Sequence, residues 1–533
     1  LTLNRFRKAG YAAIDRICNY YASLSTLPVK PSVSPGYLSK HIPKTCPQTG
    51  EPFNEILDDY SKLILPGLTH WQHPSFFGFF PTGCTFEGMI ADLLTSSACN
   101  PGFNWASSPA CTELEVLMMD WAADLLGLHK DFFNSSGKGG GTIQTTASDS
   151  ALTAAVAARS LYSRAHPDVP HESLVVYTTT QTHSLGLKAG KILGLNVRAL
   201  EVEAADGYAL RGSVLKAALG DDLKNGKHPF ILIATIGTTS SGTYDNLQEI
   251  KEVAKEYPSL WIHVDAAWAG VALSCPEYRE KLYHAEINEI ATSFCTNFHK
   301  WGLVNFDCST LWVRDRTLLT EALDITPPFL RSKESDSGLV IDYRNWHLAL
   351  GRRFRSLKLW FVFRSYGAEG FRSYIKRCVD LNISFQSKLA ESSLLELVTT
   401  PSLSLSVFRI SPVALSSPAS TTSFPTTSSP ADSSPASSAI SFPNSEPTLE
   451  TLNTVTKTLF SRLSSRTDIL LTQTILNGIF CIRFVVGSER TGLEDVYRAV
   501  DVLVEEAQDV VGEWKVMNEK MTLGVDGKVK VKS

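Results

Sequence analysis

Residues 259–270 read SLWIHVDAAWAG, and the order of residue types in that stretch decides the fold. A strand with one solvated face would alternate polar and apolar residues. This run is almost continuously apolar up to Asp265, as a strand buried on both faces of a mainly parallel sheet should be. Three further segments share the pattern: SLVVYTT (173–179), HPFILIATIG (228–237) and STLWVRD (309–315). Helical periodicity between strand candidates, in TELEVLMMDWAADLLGL (112–128) and DSALTAAVAARSLYSRA (149–165), completes an α/β pattern with a central sheet. Asp265 ends its strand where open α/β sheets bind ligands, although a cap or a hydrogen bond to a loop explains such an acid equally well.

Outward from this core the pattern changes at both ends. Residues 1–84 carry helical patterns, NRFRKAGYAAIDRICNYYASL and FNEILDDYSKLILPGL, and form an N-terminal helical segment. The large domain takes 85–370. A smaller α+β domain takes 371–533, with strands at SLSLSVFRI (402–410) and FCIRFVVG (480–487), a helix at 449–465 and a closing helix at 493–511. Inside it, about 411–448 is dominated by Ser, Thr, Pro and Ala. Too little apolar surface is present there to offset the entropy of ordering, so the segment is expected to be a disordered loop.

The net charge is −4, with both signs interspersed, which points to neither nucleic acid nor an anionic membrane surface. No run approaches the roughly 18 apolar residues of a membrane span. The first residues read as a surface helix rather than a signal peptide, and, as the sequence has no initiator Met, some missing N-terminal sequence is an expectation. The 10 cysteines are scattered without a CxxC pair, so neither a disulfide framework nor a metal site is expected, and reduced thiols in the cytoplasm are.

Three features bear chemistry. In SSGKGGGTIQTTASDSAL (135–152) the glycines do not fit the nucleotide P-loop, but Thr146, Ala147 and Ser148 precede a helix whose N-terminus could hold a phosphate; an ordinary capped helix reads the same way. Asp265 is the second. The third is Lys300, in the apolar run TSFCTNFHKWGLVNFDCS (292–309). A buried lysine pairs or loses its charge, and a neutral amine attacks carbonyls; a snorkelling surface lysine is the plainer reading. Together, a phosphate cradle, an acid at a strand end and a desolvated lysine are what pyridoxal phosphate requires. The lysine forms the Schiff base and the acid keeps the pyridine nitrogen protonated.

Longer motifs carry a family resemblance. HPSFFGFFPT (73–82), WASSPACTELEVLMMDW (105–121), HVDAAWAG (263–270), NFHKWGLVNFDCS (297–309) and the run 336–367 resemble the group II pyridoxal-phosphate decarboxylases, specifically the aromatic-L-amino-acid decarboxylases and aromatic acetaldehyde synthases. The resemblance implies fold type I, aspartate aminotransferase-like, and a homodimer with active sites at the interface, the N-terminal helices packing on the partner. It assigns Lys300 as the Schiff-base lysine, Asp265 as the pyridinium partner, His183 as the residue stacked on the cofactor and His299 as the lysine-adjacent histidine. It also assigns Thr146, Ala147, Ser148 and Asn297 to the phosphate, and Thr239 and Ala267 to the pyridine ring. Phe79, Phe80, Pro81, Thr82 and, from the other subunit, Phe103 would form the aromatic substrate pocket.

Two departures from the family pattern matter. Phe79 stands where animal members usually have tyrosine. In TPPFLRSKESDSGL (326–339), counting back from Asp336-Ser337-Gly338, Phe329 replaces the tyrosine of the family's mobile catalytic loop. That hydroxyl is the acid generally assigned to protonating Cα after CO2 leaves, and Phe329 has no proton to give. The expected outcome is reaction with O2, giving an aromatic acetaldehyde, CO2, ammonia and hydrogen peroxide. Simple decarboxylation to the arylethylamine, with His183 or water as donor, is the alternative, and a catalytically silent homologue a minor one. Gly351 matches a position where plant relatives with indole substrates carry Gly, a lean toward tryptophan-type substrates.

Overall fold

The computed structural model describes residues 2–416 and 447–526. Seven strands form the central sheet: β1 (Gly140–Gln144), β2 (Leu174–Thr179), β3 (Asn196–Leu200), β4 (His228–Thr235), β5 (Trp261–Asp265), β6 (Ser293–Asn297) and β7 (Ser309–Val313), in the order β1-β7-β6-β5-β4-β2-β3. β3, β2, β4, β5 and β6 are parallel. β7 runs antiparallel to both β6 and β1, so the apolar run at 309–315 is buried as expected but reversed in direction. The helix Pro109–Leu126 packs on β1, and the helix Ala147–Ala165 packs on β4, β5, β6 and β7.

The second sheet is antiparallel, β8 (Leu395–Leu397), β9 (Leu405–Ile410), β10 (Thr472–Leu476) and β11 (Ile479–Val485) in the order β10-β11-β9-β8. The helices Leu449–Ser465 and Leu493–Asp526 belong to the same unit. The helix Arg355–Leu389 crosses from one unit to the other, with its backbone broken at Gly367 (φ 61°). The loop expected to be disordered at about 411–448 begins with structure: Pro412–Leu415 is a helical turn with Ala414 and Leu415 buried, and 417–446 lies outside the described residues.

Residues 73–82 join the two units. Phe77 donates its N–H to the Leu470 carbonyl at 2.9 Å and accepts the Val485 N–H at 3.0 Å, and Gly83 donates to the His299 carbonyl at 3.0 Å. The N-terminal helix Leu3–Ser23 buries only Ala9 and leaves Phe6, Tyr11, Ile14 and Ile17 exposed.

Candidate active site

β1, β2, β4, β5 and β6 point the same way, so the loops after them converge on one edge of the sheet, where open α/β sheets bind ligands. A cavity of about 380 Å³ lies there. Thr146, Ala147, Ser148, His183, Thr239, Asp265, Ala267, Asn297, His299 and Lys300 all line it, with Phe79, Phe80 and Thr82 from the 73–82 segment. Residues 144 to 300 in sequence thus meet because each follows a strand of one sheet.

Each wall has a local cause. Thr146 is the N-cap of the helix Ala147–Ala165, its hydroxyl accepting the Asp149 N–H at 3.3 Å. The first-turn N–H groups of Ala147 and Ser148 have no acceptor among the described residues, and both residues line the cavity. Asp265 closes β5, and its Oδ1 accepts the Ala267 N–H at 3.0 Å, leaving Oδ2 for a ligand. β6 ends at Asn297 and passes into the single turn Phe298–Trp301, which carries Lys300. The Lys300 Nζ sits 5.3 Å from the centre of the Phe80 ring. Burial pushes its amine below the ordinary lysine range, with Asp265 and Cys295 opposing.

Two histidines are held neutral. His299 accepts the Cys308 N–H on Nδ1 at 2.8 Å, so its proton is on Nε2, and burial takes it down to about 3. Burial also lowers His183, against the pull of Asp265. The aromatic wall is layered: Phe80 stacks on Trp268 at 4.6 Å and Phe79 on Trp71 at 5.4 Å.

Sequence reasoning missed Trp71, Leu185, Thr235, Gly237, Trp268, Phe306 and Arg483. Arg483, on β11, is 4% exposed and has no carboxylate partner among the described residues. Its guanidinium lies 5.0 Å over the Phe80 ring, donates to Thr472 Oγ1 at 3.1 Å and to the Phe79 carbonyl at 3.4 Å, and is taken down to about 10 by burial. The signal was available: FCIRFVV places a cation inside an apolar strand, the same anomaly as Lys300.

Four expected site residues lie outside this chain's cavity. Pro81 is buried against Gly487, behind the wall. Phe103 is half-buried, its carbonyl accepting the Arg344 N–H. Gly351 is exposed, with open space where a Cβ would stand. Phe329 is 81% exposed.

The residues present fit pyridoxal phosphate. Two unpartnered N–H groups at a helix N-terminus suit a phosphate, and Asn297 Oδ1 and Thr235 Oγ1 are buried cavity atoms without a partner in the protein. Asp265 and Lys300 supply the acid and the amine.

The chain matches the pyridoxal-dependent decarboxylase conserved domain over residues 35–411 and belongs to that family of lyases, with the type I fold and pyridoxal phosphate as cofactor. Within it the chain falls among the aromatic amino acid decarboxylases, a group holding both decarboxylases and aldehyde synthases. It is 44% identical to the aromatic-L-amino-acid decarboxylase of Bos taurus, over 77% of this chain and 85% of that one. It is 43% identical to the phenylacetaldehyde synthase of Arabidopsis thaliana, over 77% and 83%. The crystal structure of Oryza sativa TDC with PLP and tryptamine superposes with a TM-score of 0.86 at 32% identity, covering 96% of this chain and 99% of that one. No helix among the described residues is long and apolar enough to cross a membrane.

Proposed function

We propose that this enzyme converts an aromatic L-amino acid, O2 and water into the aromatic acetaldehyde, CO2, ammonia and hydrogen peroxide. Pyridoxal phosphate, when bound, supplies the electron sink that lets CO2 leave. Lys300 would hold it covalently, Asp265 would face its ring nitrogen, and Thr146, Ala147, Ser148 and Asn297 would hold its phosphate. His183, Thr239 and Ala267 would line its ring. Phe79, Phe80 and Thr82 orient the substrate's aromatic ring and exclude water from it, since stacking adds to plain area burial.

The observation that carries the reading is the absence of a phenol. Among the described residues the cavity wall contains no tyrosine, and the loop that would bring one carries Phe329. Return of a proton to Cα would then be left to a histidine whose imidazolium form burial disfavours, so that oxidation by O2 would compete with protonation. The sequence relationship to both decarboxylases and an aldehyde synthase is compatible with either product. His183 in the wall is the one observation that favours the amine, since its proton could reach Cα.

We further propose a homodimer in which Phe103, Phe329 and Gly351 serve the partner's cavity. The exposed Ile325, Phe329, Leu339, Leu348 and Leu350 and the uncovered face of Leu3–Ser23 support it. Gly351 gives the lean toward tryptophan. All ten cysteines are unpaired, which fits the cytoplasm. The deciding experiment incubates the enzyme with L-Trp, L-Tyr, L-Phe and L-DOPA and measures amine against aldehyde plus peroxide, with O2 uptake. Aldehyde and peroxide in equal amounts are expected, and Phe329→Tyr should turn the output to amine. Amine without O2 uptake from the wild type refutes the oxidative reading.

A further inference from the structure

Behind Asp265, on the side away from the cavity, β5 and β6 carry a row of side chains that the site does not use. Strand alternation puts Trp261, His263 and Asp265 on one face of β5 and Ser293 and Cys295 on the same face of β6, with His263 opposite Ser293 and Asp265 opposite Cys295. All five are at most 3% exposed. Asp265 Oδ1 lies 3.6 Å from Cys295 Sγ; Sγ lies 3.7 Å from His263 Nε2; His263 Nδ1 lies 2.7 Å from Ser293 Oγ; and Ser293 Oγ accepts the Trp261 indole N–H at 2.8 Å.

The two ends fix the direction of the hydrogen bonds between them. An indole N–H only donates and a carboxylate only accepts, so Ser293 Oγ receives the first hydrogen and the Cys295 thiol gives the last. His263 is neutral, burial taking it down to about 4, so one ring nitrogen carries its hydrogen. With that hydrogen on Nδ1, the Ser293 hydroxyl would lack a buried acceptor and the Nε2 lone pair would face a sulfur whose only hydrogen is already given to Asp265. With it on Nε2, every hydrogen in the row has an acceptor.

We propose that Cys295 and His263 are positioning residues of this enzyme, members of a one-way chain Trp261→Ser293→His263→Cys295→Asp265 that holds the carboxylate fixed with Oδ2 toward the cavity. This rests on the reading of Asp265 as the partner of the cofactor's ring nitrogen. With Oδ1 taken by the thiol and the Ala267 N–H, Oδ2 is the oxygen left to accept the proton of the ring nitrogen. Removing the thiol frees the carboxylate to turn away, so that the ring nitrogen would hold its proton less firmly, and leaves the His263 N–H without its acceptor.

The test has two independent readouts. Nitrogen NMR of ¹⁵N-histidine-labelled protein, with His263 assigned by His263→Gln, should show the neutral Nε2–H tautomer both with and without pyridoxal phosphate; an Nδ1–H tautomer overturns the chain. Pyridoxal phosphate labelled with ¹⁵N in the ring should be protonated on the wild type and shifted toward the unprotonated signal on Cys295→Ala, with binding weakened about tenfold. Cys295→Ser keeps a donor and should restore both. An unchanged signal in Cys295→Ala overturns the proposal. If that variant does not fold, the wild-type tautomer and the serine variant still decide. An unprotonated ring nitrogen on the wild type refutes the reading of Asp265 itself, and with it the purpose of the chain, while the tautomer on cofactor-free protein still judges whether the chain exists.

Discussion

At the scale of single residues, two basic side chains with no ion-pair partner among the described residues stand in one cavity. Lys300 is explained by the chemistry it would do: a lysine that burial pushes below its ordinary range is a nucleophile, and Asp265 opposes that fall. Arg483 does no such chemistry. It holds the aromatic wall, reaching the carbonyl of Phe79, whose backbone sits at φ 51°, and covering the Phe80 ring. A desolvated cation–π contact is worth about 2 kcal/mol, and burying a guanidinium without a carboxylate costs a comparable or larger amount. Arg483→Met should therefore leave the thermal midpoint unchanged or raised while increasing KM for the aromatic amino acid roughly tenfold, with a smaller change in kcat. Steady-state kinetics beside calorimetry checks both halves; a large fall in stability with KM unchanged would make Arg483 a folding residue instead.

At the scale of elements, the site depends on a clamp far from its chemistry. Glu115, in the helix Pro109–Leu126, accepts the Ile143 N–H of β1 at 2.8 Å, the Thr142 hydroxyl at 3.0 Å and both amino groups of Arg352, all buried. It ties β1, whose continuation is the turn at Thr146 in the cavity wall, to the chain beside Gly351. Glu115→Ala strands the Arg352 charge and should cost about 3–5 kcal/mol, read as a large fall in the denaturation midpoint. Replacing both members by apolar residues should recover much of it. Such clamps were not legible in the sequence, because a Glu in a helix and an Arg in LGRRF show nothing of each other. The strands with uninterrupted apolar runs, β2, β4, β5 and β7, were legible. β1 and β3 were not: GGTIQ hides a buried strand behind glycines, and NVRAL is only partly buried. The cofactor side of the site could be read because each of its residues follows a strand. Trp71 could not, because it enters from outside the central sheet, and Arg483, on the second sheet, showed only as a cation in an apolar run with nothing to tie it to the first sheet.

At the scale of the whole molecule, acid stability and assembly each follow from what is buried and what is left open. His263 and His299 are held at about 4 and about 3, below the 6.5 of a free imidazole. A depressed histidine contributes its full stability above pH 6.5 and loses it as pH falls toward the folded value, at about 1.4 kcal/mol per pH unit for each group. Thermal midpoints should accordingly drop between pH 6.5 and 4, and His299→Gln should flatten that slope. Assembly bears on the product itself. Phe329 is exposed and absent from its own chain's cavity, so the loop argument has force only if the loop works on a partner. Mixed dimers separate the two cases. A chain carrying Lys300→Ala and Phe329→Tyr together should be inactive alone, and the wild type should give aldehyde. In a mixed dimer the only working site has a wild-type Lys300. Should the loop cross the interface, that site receives the tyrosine of its dead partner and makes amine. Should the loop act within its own chain, the site keeps Phe329 and makes aldehyde, at half the wild-type rate per dimer. Amine from a mixture of two proteins, neither of which makes it alone, is the expected result, and aldehyde alone from verified mixed dimers would refute the shared site.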